Sequence, residues 1–309
     1  MKKTVLASRA PGTVIGYHRA FNRWKIFARD TLQTQSFPVL PFNLALYLQH
    51  LLEITESSSS INAAFYAINW FHNIAGIKSP TLHPAVIAIK EGAVRLSAKA
   101  IHRKEPLEPD HLKSLANQID LQDLLQLRNF VMFVFSFSGL LRASEVLELR
   151  RSDIKFEADH VSIKIAKAKN DQLREGKTVV IANSLGEISP ARLLSSYFRM
   201  AEISEYSNEY IFRPVYTCKK LKKLVSVDKH ISYTTYREAF KSSFKEIVPD
   251  IHNYSTHSCR AGAATLAANS DVKERVIQNQ GRWKTSKAKD IYIKDSLKAK
   301  LELSKALTL

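Results

Sequence analysis

The chain is short of the features on which most metal-assisted phosphate chemistry and most membrane anchoring depend. Only two of its 309 residues are cysteines, Cys218 and Cys259. A disulfide scaffold or a cysteine-built zinc site is therefore not expected, and a reducing compartment is the easier fit. No glycine-rich phosphate loop and no His-Glu-x-x-His pair occurs, and the acidic residues are scattered without an obvious carboxylate set for two-metal chemistry. The expectation is a protein without metal or other cofactor. Apolar runs are short as well. The stretch from Met1 to Ala7 is too brief for a secretion signal, and the longest run, Phe130 to Leu141, is broken by serines and a glycine and falls below a membrane span. It reads as a buried helix, and the protein reads as intracellular.

Acidic residues are in deficit: 29 Asp+Glu face 46 Lys+Arg, a formal net charge of +17. The excess is on both sides of the chain. Residues 1–100 hold 11 basic against 4 acidic residues, a net +7, and the remainder holds 35 against 25, a net +10. Such a balance points to a polyanion, nucleic acid before an anionic membrane surface. No basic amphipathic helix or lipidation signal supports the membrane alternative. Nucleic acid is the expected partner.

At this length two compact domains are comfortable. Residues 1–100 read as four helices. Thr13 to Arg29 carries Val14, Tyr17, Phe21, Trp24 and Phe27 at helical spacing. Phe42 to Leu52 follows Pro38 and Pro41, and a third helix starts from the serine run 57–60. A fourth spans about Pro84 to Ala98. Residues 101–109, with two prolines and four charged residues, are the expected linker. Residues 110–309 then read as helices to Leu149, three strands (Asp153–Phe156, His160–Ala166, Lys177–Ala182), and helices again from Ala191 onward. Among these, Thr235-x-x-Glu238 predicts a capping box. The fold class is mainly α with a small antiparallel sheet.

Without metal, chemistry at a phosphate backbone needs a side-chain nucleophile, fixed cations and a proton donor. The C-terminal two thirds offers them. Ser255-Thr256-His257-Ser258-Cys259-Arg260 looks like a helix entry that puts His257 and Arg260 one turn apart, beside backbone amides that favour an anion. Upstream, Gly139-Leu140-Leu141-Arg142-Ala143-Ser144-Glu145 sets an arginine after a turn, with Glu145 placed to orient it. Downstream come Gly281-Arg282-Trp283-Lys284 and, nine residues after Trp283, Tyr292. Each taken alone is equally compatible with a helix ion pair, a core indole or a packed tyrosine.

Taken in order, these elements resemble the tyrosine recombinases, the phage-integrase family. The wording around Gly281–Lys284 and Ala288–Asp295 is most similar to recombinases of eukaryotic DIRS- or Crypton-like mobile elements. The resemblance implies a two-domain C-shaped DNA clamp, with a helical core-binding domain and a catalytic domain, and double-stranded DNA as the partner. It implies a site-specific recombinase that cuts and rejoins DNA for integration or excision of a mobile element. Tyr292 would form a 3′-phosphotyrosine link and leave a free 5′-hydroxyl. Arg142 and Arg260 would clamp the phosphate, His257 would assist proton transfer, and Glu145 would support them. Trp283 stands where many relatives have His, and its indole can donate a hydrogen bond but cannot act as a base. The general acid would be a hairpin lysine, Lys169 in Lys169-Asn170-Asp171-Gln172, with Lys167 the alternative and a DNA contact. Arg19, Arg23, Lys90, Arg95, Lys99, Arg103 and Lys104 are further candidates for DNA contact. The family implies a synaptic tetramer in which the tail Ser296–Leu309, a short amphipathic helix, docks either on a neighbouring protomer or in cis. A eukaryotic mobile element would place the protein in the nucleus. Two rival readings are a type IB topoisomerase-like relaxing enzyme and a DNA-binding protein that no longer cuts.

Overall fold

A computed structural model of the chain describes residues 2–98, 102–165, 176–183, 188–218 and 221–307. It divides into two compact units, Met1–His102 and Arg103–Leu309. In the first, α1 (Lys2–Leu6) precedes α2 (Pro11–Asp30), α3 (Pro41–Thr55), α4 (Ser58–Ala75) and α5 (Pro84–Leu96). The four longer helices fall where apolar periodicity predicts them. Proline opens α2, α3 and α5, where its missing N–H costs nothing, and the Ser57 hydroxyl caps α4 by accepting the Ser60 N–H. Their core gathers Phe21, Trp24, Phe27, Leu44, Leu48, Ile61 and Ile68. Trp24 is fully buried, and its indole N–H donates to the Ser36 carbonyl at 2.7 Å.

The second unit begins earlier than the expected linker allows. Residues 103–109 belong to it: Glu105 N–H donates to Asn253 O (2.8 Å), Leu107 N–H donates to Ser258 O (2.9 Å), and the Leu107 side chain is buried. The prolines and charges that disfavour helix here are compatible with an extended segment laid on a packed helix, α11 (see below). That approach requires Gly262, because a Cβ there would stand 1.8 Å from the Leu107 carbonyl oxygen. Gly262→Ala is expected to destabilise the second unit by about 1–3 kcal/mol, the usual cost of overpacking, as a lowered urea midpoint at unchanged slope.

The remaining elements are α6 (Pro109–Gln118), α7 (Leu124–Ser138), α8 (Ala143–Leu147), β1 (Ile154–Phe156), β2 (His160–Ile165), β3 (Lys177–Ala182) and α9 (Pro190–Met200). They are followed by β4 (Val215–Cys218), β5 (Leu221–Leu224), α10 (Tyr233–Phe244), α11 (His257–Asn269), α12 (Glu274–Gly281), α13 (Ser286–Asp290) and α14 (Leu297–Ala306). The run read as a buried helix is α7, with Phe130 to Ser136 all buried. β1, β2 and β3 form an antiparallel sheet in that order, with Ile163 opposite both Ile154 and Val179. Alternate residues Val161, Ile163 and Ile165 enter the core, as the period-two pattern requires.

Two expectations need correction. The chain after Ala191 is not helical throughout, because β4 and β5 pair as an antiparallel hairpin, Val215 opposite Leu224. Lys222 of that hairpin pairs with Asp123, the N-cap of α7, a partner far away in sequence. And α10 starts before Thr235: its N-cap is Ser232, whose hydroxyl accepts the Thr235 N–H at 3.0 Å. A serine whose oxygen can reach the third amide caps the helix as well as the threonine would. Among the described residues, no helix is long and apolar enough to cross a membrane.

Candidate active site

Four local structures bring the chemistry-bearing residues together. The first is the turn after α7. Leu140 takes the left-handed conformation (φ 45°), which brings its carbonyl inward and delivers Arg142 as the N-cap of α8. Glu145, three residues on, reaches back. Its Oε2 accepts the Arg142 backbone N–H at 2.8 Å and its Oε1 accepts Arg142 Nη1 at 2.7 Å. The Glu145 side chain is 1% exposed and that of Arg142 is 12% exposed, so Arg142 alone of this pair keeps a solvent-facing edge.

The second is the entry to α11. Thr256 is the N-cap residue but its side chain caps no amide; Ser255 Oγ accepts the His257 N–H (3.3 Å) instead, and Ser258 Oγ accepts the Ser255 N–H (3.0 Å). His257 is exposed at the helix start, while Arg260, one turn on, is fully buried. Arg260 donates through Nη1 to the Leu140 carbonyl and through Nη2 to the Gly281 carbonyl.

The third is the turn after α12. The Trp283 ring folds back over Gly281 so closely that a Cβ there would stand 1.8 Å from it. Arg282 takes the left-handed conformation (φ 56°), and its amide and that of Trp283 close the helix onto Asn279 O and Gln278 O. Trp283 then lies under Arg260, with the guanidinium 4.1 Å from the ring centroid, a cation–π stack. The indole Nε1 is buried and has no hydrogen-bond partner among the described residues.

The fourth is the segment that carries Tyr292. Thr285 caps α13, and buried Lys289 binds Glu274 (3.1 Å) and Asp290 (3.2 Å), which fastens α13 to the start of α12. Beyond it, Thr265 of α11 donates to the Tyr292 carbonyl (3.2 Å) and accepts the Lys294 N–H (3.1 Å), pinning the chain just after the tyrosine, while the Tyr292 N–H donates to the Lys289 carbonyl (2.8 Å). The half-buried Tyr292 ring has its centroid 5.3 Å from that of Trp283, 6.4 Å from that of His257 and 5.4 Å from the Arg260 guanidinium.

The charges of this cluster do not cancel. Arg142, Arg260 and Arg282 are three cations and Glu145 is one carboxylate, a net +2 in a largely dehydrated space. Burial, then the like charges of Arg142 and Arg282, pulls the Arg260 guanidinium down to about 9. Arg282 is also lowered by burial, against the opposing pull of Glu145. Burial alone would raise the Glu145 carboxyl, but Arg282, Arg142 and the Arg142 amide outweigh it and hold it below the ordinary glutamate range. A carboxyl depressed on folding contributes stability above its unfolded value, about 4.3, and loses that contribution as pH falls through the folded one. Glu145→Gln is therefore expected to cost about 3–5 kcal/mol near pH 7, since it strands the buried Arg282 and the half-buried Arg142. The difference from the parent chain should narrow as urea unfolding is repeated below pH ~4.

Of the residues singled out in the sequence, Arg142, Glu145, His257, Arg260, Trp283 and Tyr292 are brought together. Lys167 and Lys169 lie outside the described residues, as does Lys99. The hairpin strands that flank the lysines are held near the site by Gln280, whose amide donates to the Val180 carbonyl (2.7 Å). Arg103 and Lys104 line a cavity of about 390 Å³ together with His257, Tyr292 and Lys294. In the first unit, Arg19, Arg23 and Arg95 are exposed on α2 and α5, while Lys90 is half-buried with its ammonium 5.7 Å from the Phe65 ring centroid. Sequence reasoning missed Arg282 and Lys294. The only hint for Arg282 was a charge set between Gly281 and Trp283, both of which pack.

The second unit is thus a mainly helical unit with a small antiparallel sheet that presents a tyrosine beside buried arginines. The phage integrase family model matches residues 105–298, the stretch that holds this whole constellation, and the chain belongs to that family. It is 28% identical over 265 residues to an integrase/recombinase XerD homolog of Selenomonas ruminantium, covering 83% of this chain and 74% of that one. It is 24% identical over 266 residues to the Cre recombinase of Escherichia phage P1, covering 80% and 74%. The fold is similar to that of the Tn1549 transposon integrase, solved in complex with transposon right-end DNA. The TM-score is 0.61 at 16% identity, with 97% of this chain and 94% of that one covered.

Proposed function

We propose that the protein is a site-specific DNA recombinase that cleaves and rejoins strands through Tyr292. The observation that carries this reading is the placement of the Tyr292 ring against Arg260, Trp283 and His257 of its own chain, in a cluster of net charge +2. The Tyr292 oxygen attacks the phosphorus of a DNA phosphodiester and the bond to the 5′-oxygen breaks. A 3′-phosphotyrosine remains, and the departing oxygen takes up a proton as a free 5′-hydroxyl. Attack by the 5′-hydroxyl of another strand reverses the step and releases the tyrosine, so no external energy is needed.

Each residue has a part in this reaction. The phosphorane carries up to two negative charges, which the net +2 of the arginine–glutamate cluster matches, and charge developing against preorganised cations is where such a site gains most. Arg142 offers its remaining guanidinium donors. Trp283 Nε1, otherwise unpaired, donates to a phosphate oxygen. His257 relays the tyrosine's proton, and Lys169 supplies the one taken by the leaving oxygen. Arg103, Lys104, Lys167 and Lys294 hold the flanking backbone, and residues 1–100, through Arg19, Arg23, Lys90, Arg95 and Lys99, bind the duplex around the cleavage point.

Synapsis of two duplexes calls for a tetramer. Leu297 and Leu301 of α14 are exposed and suit docking on a neighbouring protomer. The biological reaction we assign is insertion or excision of a mobile element, in the nucleus where the host is eukaryotic. The test begins by selecting bound duplexes from a random library. A substrate nicked near the cleavage point is then built on the selected site, so that the cut fragment diffuses away and traps the intermediate. A covalent protein–DNA adduct is expected. Tight binding with no adduct on any selected site would overturn the reading.

A further inference from the structure

Arg282 stands in a backbone conformation that costs any residue with a side chain and costs glycine nothing (φ 56°). Its side chain is nonetheless 3% exposed and fully engaged at its tip. Nη1 donates to the Gln280 carbonyl (2.5 Å) and faces the Gly139 carbonyl (3.5 Å). Nη2 donates to the Leu140 carbonyl (2.9 Å) and to Glu145 Oε2 (2.6 Å). Among the described residues Nε meets no hydrogen-bond partner. A guanidinium spent in this way is poorly placed to grip a phosphate, unlike Arg142, which meets Glu145 through Nη1 alone. What Arg282 does is join two turns. One is the Gly139–Arg142 turn, whose Leu140 carbonyl it shares with Arg260; the other is its own turn, which carries Trp283. By occupying Oε2 it also fixes the carboxylate whose other oxygen holds Arg142.

We propose that Arg282 is a positioning residue for strand cleavage: it fixes Glu145 so that Arg142 is presented to the phosphate, and it locks the Arg142 turn to the Trp283 turn. The proposal rests on the recombinase reading above. Its consequence is a loss in the chemical step rather than in DNA affinity, because the donors that meet DNA are all retained but shifted from their working geometry.

Adduct formation on the nicked substrate, at saturating DNA and in a single turnover, and Kd for the intact duplex separate these effects. Arg282→Gly relieves the backbone and removes the side chain. It is expected to bind DNA within about threefold of the parent and to cleave about 10²-fold more slowly, the scale of an ångström-level misplacement. Arg282→Lys keeps a charge beside Glu145 but cannot hold the carbonyls as well, and should lose about tenfold. The double variant Arg282→Gly with Glu145→Gln should be no slower than the slower single, since both act through one arrangement. Circular dichroism reports whether each variant is folded, and Arg282→Lys carries the test if Arg282→Gly is not. Parent-like cleavage in either Arg282 variant, a loss confined to Kd, or additive losses in the double variant would overturn the proposal while leaving the recombinase reading intact. A parent protein that forms no adduct overturns both.

Discussion

Tyr292→Phe is expected to bind the selected duplex within about twofold of the parent and to yield no adduct, a fall of at least about 10⁴-fold in cleavage. The substitution deletes one oxygen and keeps the ring, which is what packs. That ring lies with Trp283, Ala263 and Ile277 in a small apolar cluster, and the backbone is held by Thr265 after the tyrosine and by the Lys289 carbonyl at its own N–H, not by the phenol. Folding should therefore be nearly unchanged, and a shift of more than a few degrees in melting temperature would show the hydroxyl to be structural. Because Tyr292 approaches Arg260 of its own chain, mixing Tyr292→Phe with an Arg260 variant should not restore cleavage. Restored cleavage would mean that the tyrosine serves a neighbour's site. A surviving adduct in Tyr292→Phe, mapped to another residue, would move the nucleophile elsewhere.

Much of the site was legible because the residue types its chemistry needs occur in the order found in the tyrosine-recombinase family. Arg142 after its turn, His257 and Arg260 one turn apart, and Tyr292 nine residues after Trp283 are each ordinary alone, but the order makes them specific. The helices of the first unit were legible for a different reason: Phe21, Trp24 and Phe27 repeat at a period that only a helix can bury on one side. What escaped is held by distant partners. Arg282 is bonded to a glutamate 137 positions away, and no local pattern announces such a pair. Lys289, in Lys287-Ala288-Lys289-Asp290, looks like one more solvated charge and is instead buried between Glu274 and Asp290. Residues 103–108 form no helix, as their proline and charges suggest, but nothing in them announces that Leu107 will lie on Gly262. The β4–β5 hairpin has lysines where apolar residues would mark an alternation, and a tertiary ion pair with Asp123 supports it.

Arg260→Met is expected to abolish cleavage, by about 10³-fold or more, without unfolding the protein. The two effects separate because Arg260 is a costly residue for the folded chain. It is wholly buried, and burial and the neighbouring charges of Arg142 and Arg282 all disfavour its guanidinium. Methionine fills similar volume and removes that repulsion. Against this stand a lost stack on Trp283 and the lost partner of the Gly281 carbonyl, whereas the Leu140 carbonyl keeps Arg282 at 2.9 Å. One orphaned carbonyl costs about 1–3 kcal/mol, comparable with the relief of a buried like charge, so the melting temperature should move by only a few degrees. The same arithmetic says where the difference reappears. With Arg260 replaced, the cluster falls from net +2 to +1 and no longer matches a doubly charged phosphorane. Stabilisation of the fold by a bound duplex should then be smaller in Arg260→Met than in the parent. An Arg260→Met protein that unfolds as it loses activity would make the arginine chiefly a structural tie between the Leu140 and Gly281 turns. A folded, inactive one would mean that the chain keeps a buried positive charge, at a cost to its own stability, for the phosphate it is built to cut.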